Sequence, residues 1–82
     1  MPKKITIFSR QTCAPCQMMK RLMTMKGLTY DVIDVDENPE AMGTIVERSG
    51  YTMVPMTVIT NADDSETVIS GYNPGRLIGL LN

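Results

Sequence analysis

Between Lys4 and Phe8 the chain is apolar and β-prone, which predicts a first strand ending in a short polar loop. A helix follows over about Ala14 to Lys26, with Pro15 in its first turn, where the missing N–H is no loss, and Gly27 to stop it. Along this helix Met18, Leu22 and Met25 share one stripe with Met19 and Met23 beside it, while Lys20 and Arg21 point to solvent. These methionines are expected to be flexible core packing rather than the lining of a partner groove. Leu28 to Val35 predicts a second strand, with Tyr30, Val32, Ile33 and Val35, before the break at Asp36-Glu37-Asn38-Pro39. Pro39 opens a second helix with Asn38 as its cap and Glu40 in its first turn. Ala41, Ile45 and Val46 mark the apolar face of that helix, and Gly50 ends it. After Tyr51 and Thr52, Val54 to Thr60 predicts a third strand, Asn61 to Ser65 a polar hairpin turn, and Glu66 to Ser70 a fourth strand. Asn73 is a cap placed just before Pro74, so a last helix is expected from Pro74 to Leu81.

The order is therefore β-α-β-α-β-β-α. A helical crossover between the first two strands should be right-handed and make them parallel, whereas the hairpin makes the last pair antiparallel. A mixed four-stranded α/β sheet flanked by helices follows, with the loop after the first strand at the edge where open α/β sheets place their sites. Eighty-two residues are enough for one domain over 1–82, burying about three fifths of the unfolded chain's surface.

Charge divides the chain. Lys3, Lys4, Arg10, Lys20, Arg21 and Lys26 fall in the first third, where no acidic residue occurs, and the balance reverses from Asp31 to Glu66. The formal net charge of −1 and the scattered aromatics, one Phe and three Tyr, argue against nucleic acid as a partner. A positive field around the first loop is the simpler reading. No apolar stretch reaches membrane-span length, and the run after Met1-Pro2-Lys3-Lys4 is too short for a signal peptide, so a cytoplasmic protein is expected.

Cys13-Ala14-Pro15-Cys16 places the chain's two cysteines one helical turn apart, directly after the first strand. The thiolate is the attacking species, and a helix N-terminus stabilises it through unpaired N–H groups and the helix dipole. Cys13 sits where that help is greatest, and Cys16, on the same face, can resolve a mixed disulfide by forming an intramolecular one. Zinc wants four Cys or His ligands, and the chain has no His and no third Cys. A purely structural bridge across so short a loop would remove little unfolded-state entropy. In a reducing compartment a lone pair is better read as catalytic.

Three segments resemble the glutaredoxin branch of the thioredoxin superfamily, over almost the full chain. Ile7-Phe8-Ser9-Arg10-Gln11-Thr12-Cys13-Ala14-Pro15-Cys16 is similar to the family's strand-loop-CxxC opening. Met53-Val54-Pro55-Met56-Thr57-Val58 is similar to its Val-Pro strand start, and Ser70-Gly71-Tyr72-Asn73-Pro74 to its distal glycine turn. The resemblance implies the thioredoxin-like (glutaredoxin) fold. It also implies a cis bond before Pro55, with the proline facing the disulfide and the preceding backbone able to pair with a bound peptide. In glutaredoxins a basic residue three before the first Cys, and a Gly-Gly turn followed closely by Asp, hold glutathione. Arg10 fills the first position, but Ser70 replaces a glycine and Asn73 offers no carboxylate for a charge-assisted bond to the tripeptide's ammonium group. The turn is more similar to the Ser-Gly-Phe-Arg-Pro of NrdH-redoxins, which are reduced by thioredoxin reductase and deliver electrons to class Ib ribonucleotide reductase. Ile69 stands where that family often has Trp, and Asn73 where it has Arg.

The resemblance thus implies a dithiol-disulfide oxidoreductase of the NrdH-redoxin kind, with Cys13 attacking and Cys16 resolving. Arg10, Thr12, Val54, Pro55, Gly71, Tyr72 and Asn73 are the expected partner-facing residues. No metal or organic cofactor is implied beyond the Cys13–Cys16 disulfide itself, and nothing in the pattern predicts an oligomer. Two alternatives stand beside this reading: a glutathione-dependent glutaredoxin, and a non-catalytic module that docks peptides around Pro55 and Tyr72.

Overall fold

The computed structural model describes residues 4–50 and 53–81, apart from the side chains of 48, 49 and 81. Tyr51 and Thr52 lie outside the described residues, as does Lys3. The elements are β1 (Lys4–Ser9), α1 (Ala14–Met25), β2 (Asp31–Asp34), α2 (Glu40–Ser49), β3 (Met56–Thr60), β4 (Glu66–Ser70) and α3 (Pro74–Leu81). They form a four-stranded sheet in the order β2-β1-β3-β4. Strands β1 and β2 pair in parallel, Ile7 opposite Val32, whereas β1 with β3 and β3 with β4 are antiparallel. The predicted mixed sheet is the observed one.

Because successive strand residues point to opposite faces, the sheet has two apolar surfaces that need cover. Ile5 and Ile7 of β1, Ile59 of β3 and Ile69 of β4 pack with Met19 and Met23 of α1 and Leu77 of α3. Phe8, Met56 and Val58 pack on the other face with Val35 and with Ala41 and Ile45 of α2. Two helices cover one face and one covers the other.

The predicted methionine stripe is rotated by one position. Met19 and Met23 are fully buried with Cys16, whereas Met18 and Met25 are 47% and 77% exposed and Leu22 is half-buried. Five apolar positions on one helix define two adjacent stripes, and helical period alone does not choose between them. Cys16 is buried on the same side of the helix, so the buried set runs 16, 19, 23.

Other boundaries shift for local reasons. Strand β2 starts at Asp31 rather than Leu28 because Leu28 closes α1: its N–H donates to the Met23 carbonyl at 3.0 Å across Gly27, whose φ is +72°. Tyr30 lies against the same helix, its hydroxyl donating to the Lys20 carbonyl at 3.2 Å. On α2, Val46 is exposed rather than part of the apolar face, and Met42 packs in its place. Asn38 is not the cap of α2. Its amide donates backward to the Asp34 carbonyl at 3.3 Å, because the Asp34 carboxylate has already shaped the turn by accepting from Asp36 N–H at 2.8 Å. Asn73 does cap α3, its Oδ1 accepting from Arg76 N–H at 3.2 Å.

Candidate active site

Strand β1 delivers the chain to the edge of the sheet at Ser9, and the next residues turn tightly so that Cys13 N–H donates to the Arg10 carbonyl at 3.2 Å. The Gln17 amide holds this turn from the helix side, donating to the Arg10 and Gln11 carbonyls at 3.4 Å each. Cys13 is the N-cap of α1, with extended backbone, and its Sγ accepts from Cys16 N–H at 3.2 Å. A sulfur in the capping position takes the place usually filled by Ser or Asp oxygen. The same N–H would favour negative charge on that sulfur once the disulfide is reduced.

Cys13 and Cys16 are joined by a disulfide, with Cα atoms 5.2 Å apart. Cys13 is partly accessible, whereas Cys16 is fully buried. An incoming disulfide can therefore reach only the first sulfur. The peptide bond before Pro55 is cis, and the Val54 carbonyl oxygen lies 3.8 Å from Cys13 Sγ. Pro55 is buried, and its carbonyl accepts from Gly71 N–H at 2.8 Å, tying the glycine turn to the segment beside the sulfurs. Gly71 has φ of +72°, a left-handed conformation that side chains other than Asn and Asp rarely take. Among the predicted residues, the structure thus brings Cys13, Cys16, Val54, Pro55 and Gly71 together.

Arg10, Thr12, Tyr72 and Asn73 are placed differently. Arg10 Nε is 3.3 Å from Asp36 Oδ1, so its charge is shared with a carboxylate instead of standing free beside the thiol. Thr12 is exposed in the turn before Cys13. The Asn73 side-chain oxygen is committed to the α3 cap. Tyr72 is 40% exposed and flanks a groove of about 170 Å³ that it forms with Met18, Arg21, Leu22 and Met25 of α1. Ile69 is fully buried among the aliphatic side chains under α1 and α3.

Gln17 and Asp36 are the site neighbours that sequence reasoning missed. For Asp36 a signal existed: parallel pairing of β1 with β2 puts Ser9 opposite Asp34, so residues just beyond both strands leave the sheet at one edge. Nothing in the local pattern distinguishes Gln17 from other exposed helix positions. Among the described residues no group of three or more His, Cys, Asp or Glu could hold a metal ion, and no helix is long and apolar enough to cross a membrane.

Comparison with known proteins agrees with this geometry. The family model described as Glutaredoxin matches residues 5–62. The glutaredoxin-like protein NrdH of Lactococcus lactis subsp. lactis is 32% identical over 76 residues, covering 93% of this chain and 97% of that protein. Its counterpart in Escherichia coli K12 is 33% identical over 74 residues, covering 90% of this chain and 84% of that one. The solved structure of the Escherichia coli NrdH-redoxin, a glutaredoxin-like protein with a thioredoxin-like activity profile, superposes with a TM-score of 0.75 at 30% identity, covering 94% of this chain and 93% of that one.

Proposed function

The chain belongs to the glutaredoxin family, whose members are thiol-disulfide oxidoreductases, and from that premise we propose that it is an electron carrier of the NrdH-redoxin kind. The observation that carries the proposal is the division of labour between the two sulfurs. Cys13 is reachable and sits at the helix start with an N–H aimed at it, while Cys16 is buried one turn behind. In the reduced protein the Cys13 thiolate attacks one sulfur of a target disulfide, forming a mixed disulfide and releasing the target's other sulfur as a thiolate. The Cys16 thiol then loses its proton and attacks Cys13 Sγ. The target leaves with both sulfurs reduced, and the Cys13–Cys16 disulfide holds the oxidising equivalent until a reductase returns two electrons. Val54 is the backbone against which the target's extended segment would pair, and Pro55 and Tyr72 would be the apolar surface around the sulfurs.

Two features favour thioredoxin reductase over glutathione as the electron donor. Arg10, the residue that would meet a tripeptide carboxylate, is already paired with Asp36, and Asn73, which would meet the ammonium group, is neutral and spent on the α3 cap. Ribonucleotide reductase is the corresponding electron acceptor, and the cytoplasm the corresponding compartment. No further cofactor enters this scheme. Replacing Cys16 with Ser should trap a mixed disulfide between Cys13 and a protein target, visible in a denaturing gel without reductant. If nothing reducible accumulates, Cys16 is not the resolving residue.

A further inference from the structure

The exposed side of α1 carries a second apolar stripe, of which only Leu22 also packs against the core. Met18, Leu22 and Met25 recur at helical spacing, Ala14 extends the line back to the residue beside Cys13, and Tyr72 closes it from the turn before α3. Met18 and Met25 are 47% and 77% exposed, although helical burial was available one position away. The stripe runs from the sulfurs to the end of α1, about 16 Å at ~1.5 Å per residue, a length matched by roughly five residues of extended chain. Arg21 lines the groove itself, Lys26 follows Met25, and no acidic residue precedes Asp31 in the chain.

We propose that this groove docks an acidic-apolar segment of the disulfide partner, close in sequence to its reactive cysteine. The groove lies along the helix that begins at the reacting sulfurs and is lined by Arg21, so the fitting occupant offers an apolar side chain to Met18, Leu22 and Tyr72 and a carboxylate to Arg21. Flexible, polarisable methionines suit a surface that must accept more than one apolar anchor. The inference rests on the oxidoreductase reading and extends it to which disulfides are reduced fastest.

The test uses the pre-reduced full chain and two synthetic peptides with the same internal disulfide, one carrying Leu and Asp within five residues of it and one carrying Ser at those positions. Hydroxyethyl disulfide, too small to span the stripe, is the reference. The wild type should reduce the Leu/Asp peptide roughly tenfold faster than the Ser peptide, as expected from burying one apolar anchor. In Met18→Ser/Met25→Ser the ratio of the Leu/Asp-peptide rate to the hydroxyethyl disulfide rate should fall by about that factor. Arg21→Glu should reverse the preference toward a peptide with Lys in place of Asp. An unchanged ratio in these variants, or an equal loss on peptide and reference, overturns the docking role while leaving the redox reading intact. A concentration-dependent dimer abolished by the methionine substitutions would assign the groove to a second copy and overturn it too. Failure of the wild type to reduce hydroxyethyl disulfide would bring down the parent reading together with this one.

Discussion

Replacing Asp36 with Asn should free Arg10 and make the protein a better reductant of negatively charged disulfides. Arg10 Nε and Asp36 Oδ1 are 3.3 Å apart, and the two side chains are 45% and 57% exposed. Two unit charges at that distance in bulk-water dielectric attract by about 1 kcal/mol, and holding an Arg side chain in one geometry takes back part of it. An anionic substrate that competes for Arg10 therefore gains at most about 1 kcal/mol when Asp36 is neutralised, which is roughly fivefold in rate. The assay compares initial rates on a glutathione mixed disulfide and on neutral hydroxyethyl disulfide, at ionic strengths of about 0.01 M and 1 M, where the screening lengths are ~30 Å and ~3 Å. The anionic-to-neutral ratio should rise about two- to fivefold in Asp36→Asn at low salt, and the rise should vanish at high salt. Arg10→Ala should abolish the effect of the Asp36 change, because the coupling is then removed. A ratio that does not move, or a gain that survives 1 M salt, would refute the idea that this pair withholds Arg10 from substrate.

Other predictions concern the scaffold. Met23→Ala should destabilise by about 2–5 kcal/mol in chemical denaturation, whereas Met18→Ala should stay within about 0.5 kcal/mol; equal losses would contradict the phase of α1. Asn73→Ala removes the cap of α3 and should lower stability by about 1 kcal/mol, a fall of about 4–8 °C in Tm for a domain of this size. The Ser65 hydroxyl and N–H, both donating to Asp63 Oδ1, hold that carboxyl below its ordinary value of 3.8. Since the unfolded chain then binds the proton more readily, this contribution to stability is present above pH 3.8 and lost as pH falls through the lowered value. An NMR titration should find the Asp63 midpoint below 3.8, moving back up in Ser65→Ala.

The element order was legible because each element announces its own ends: Pro15 and Gly27 around α1, Gly50 after α2, the Asn61–Ser65 turn, and Asn73-Pro74 before α3. The cysteine pair was legible because a strand, a short loop and a helix start place it at the sheet edge whatever the rest of the chain does. What escaped depends on contacts distant in sequence. The rotation of α1 that buries Met19 and exposes Met18 goes with the packing of Met19 and Met23 on Ile5, Ile7, Ile59, Ile69 and Leu77, residues far away in the chain. The pairing of Arg10 with Asp36 exists only because β1 and β2 lie side by side. Asn38 failed as a cap for a local reason of another kind, competition: Asp34 organised the turn first, and the Asn38 amide was drawn to the same residue's carbonyl.

We propose that Cys13 and Cys16 take their electrons from thioredoxin reductase rather than from glutathione. The choice of donor is tested most directly by following NADPH consumption with a disulfide substrate, supplying the protein either with thioredoxin reductase or with glutathione and glutathione reductase. Turnover with thioredoxin reductase and none above background with glutathione is the predicted result. Turnover with glutathione alone would contradict it, and would mean that Arg10 and the Gly71 turn bind the tripeptide despite Asp36 and Asn73.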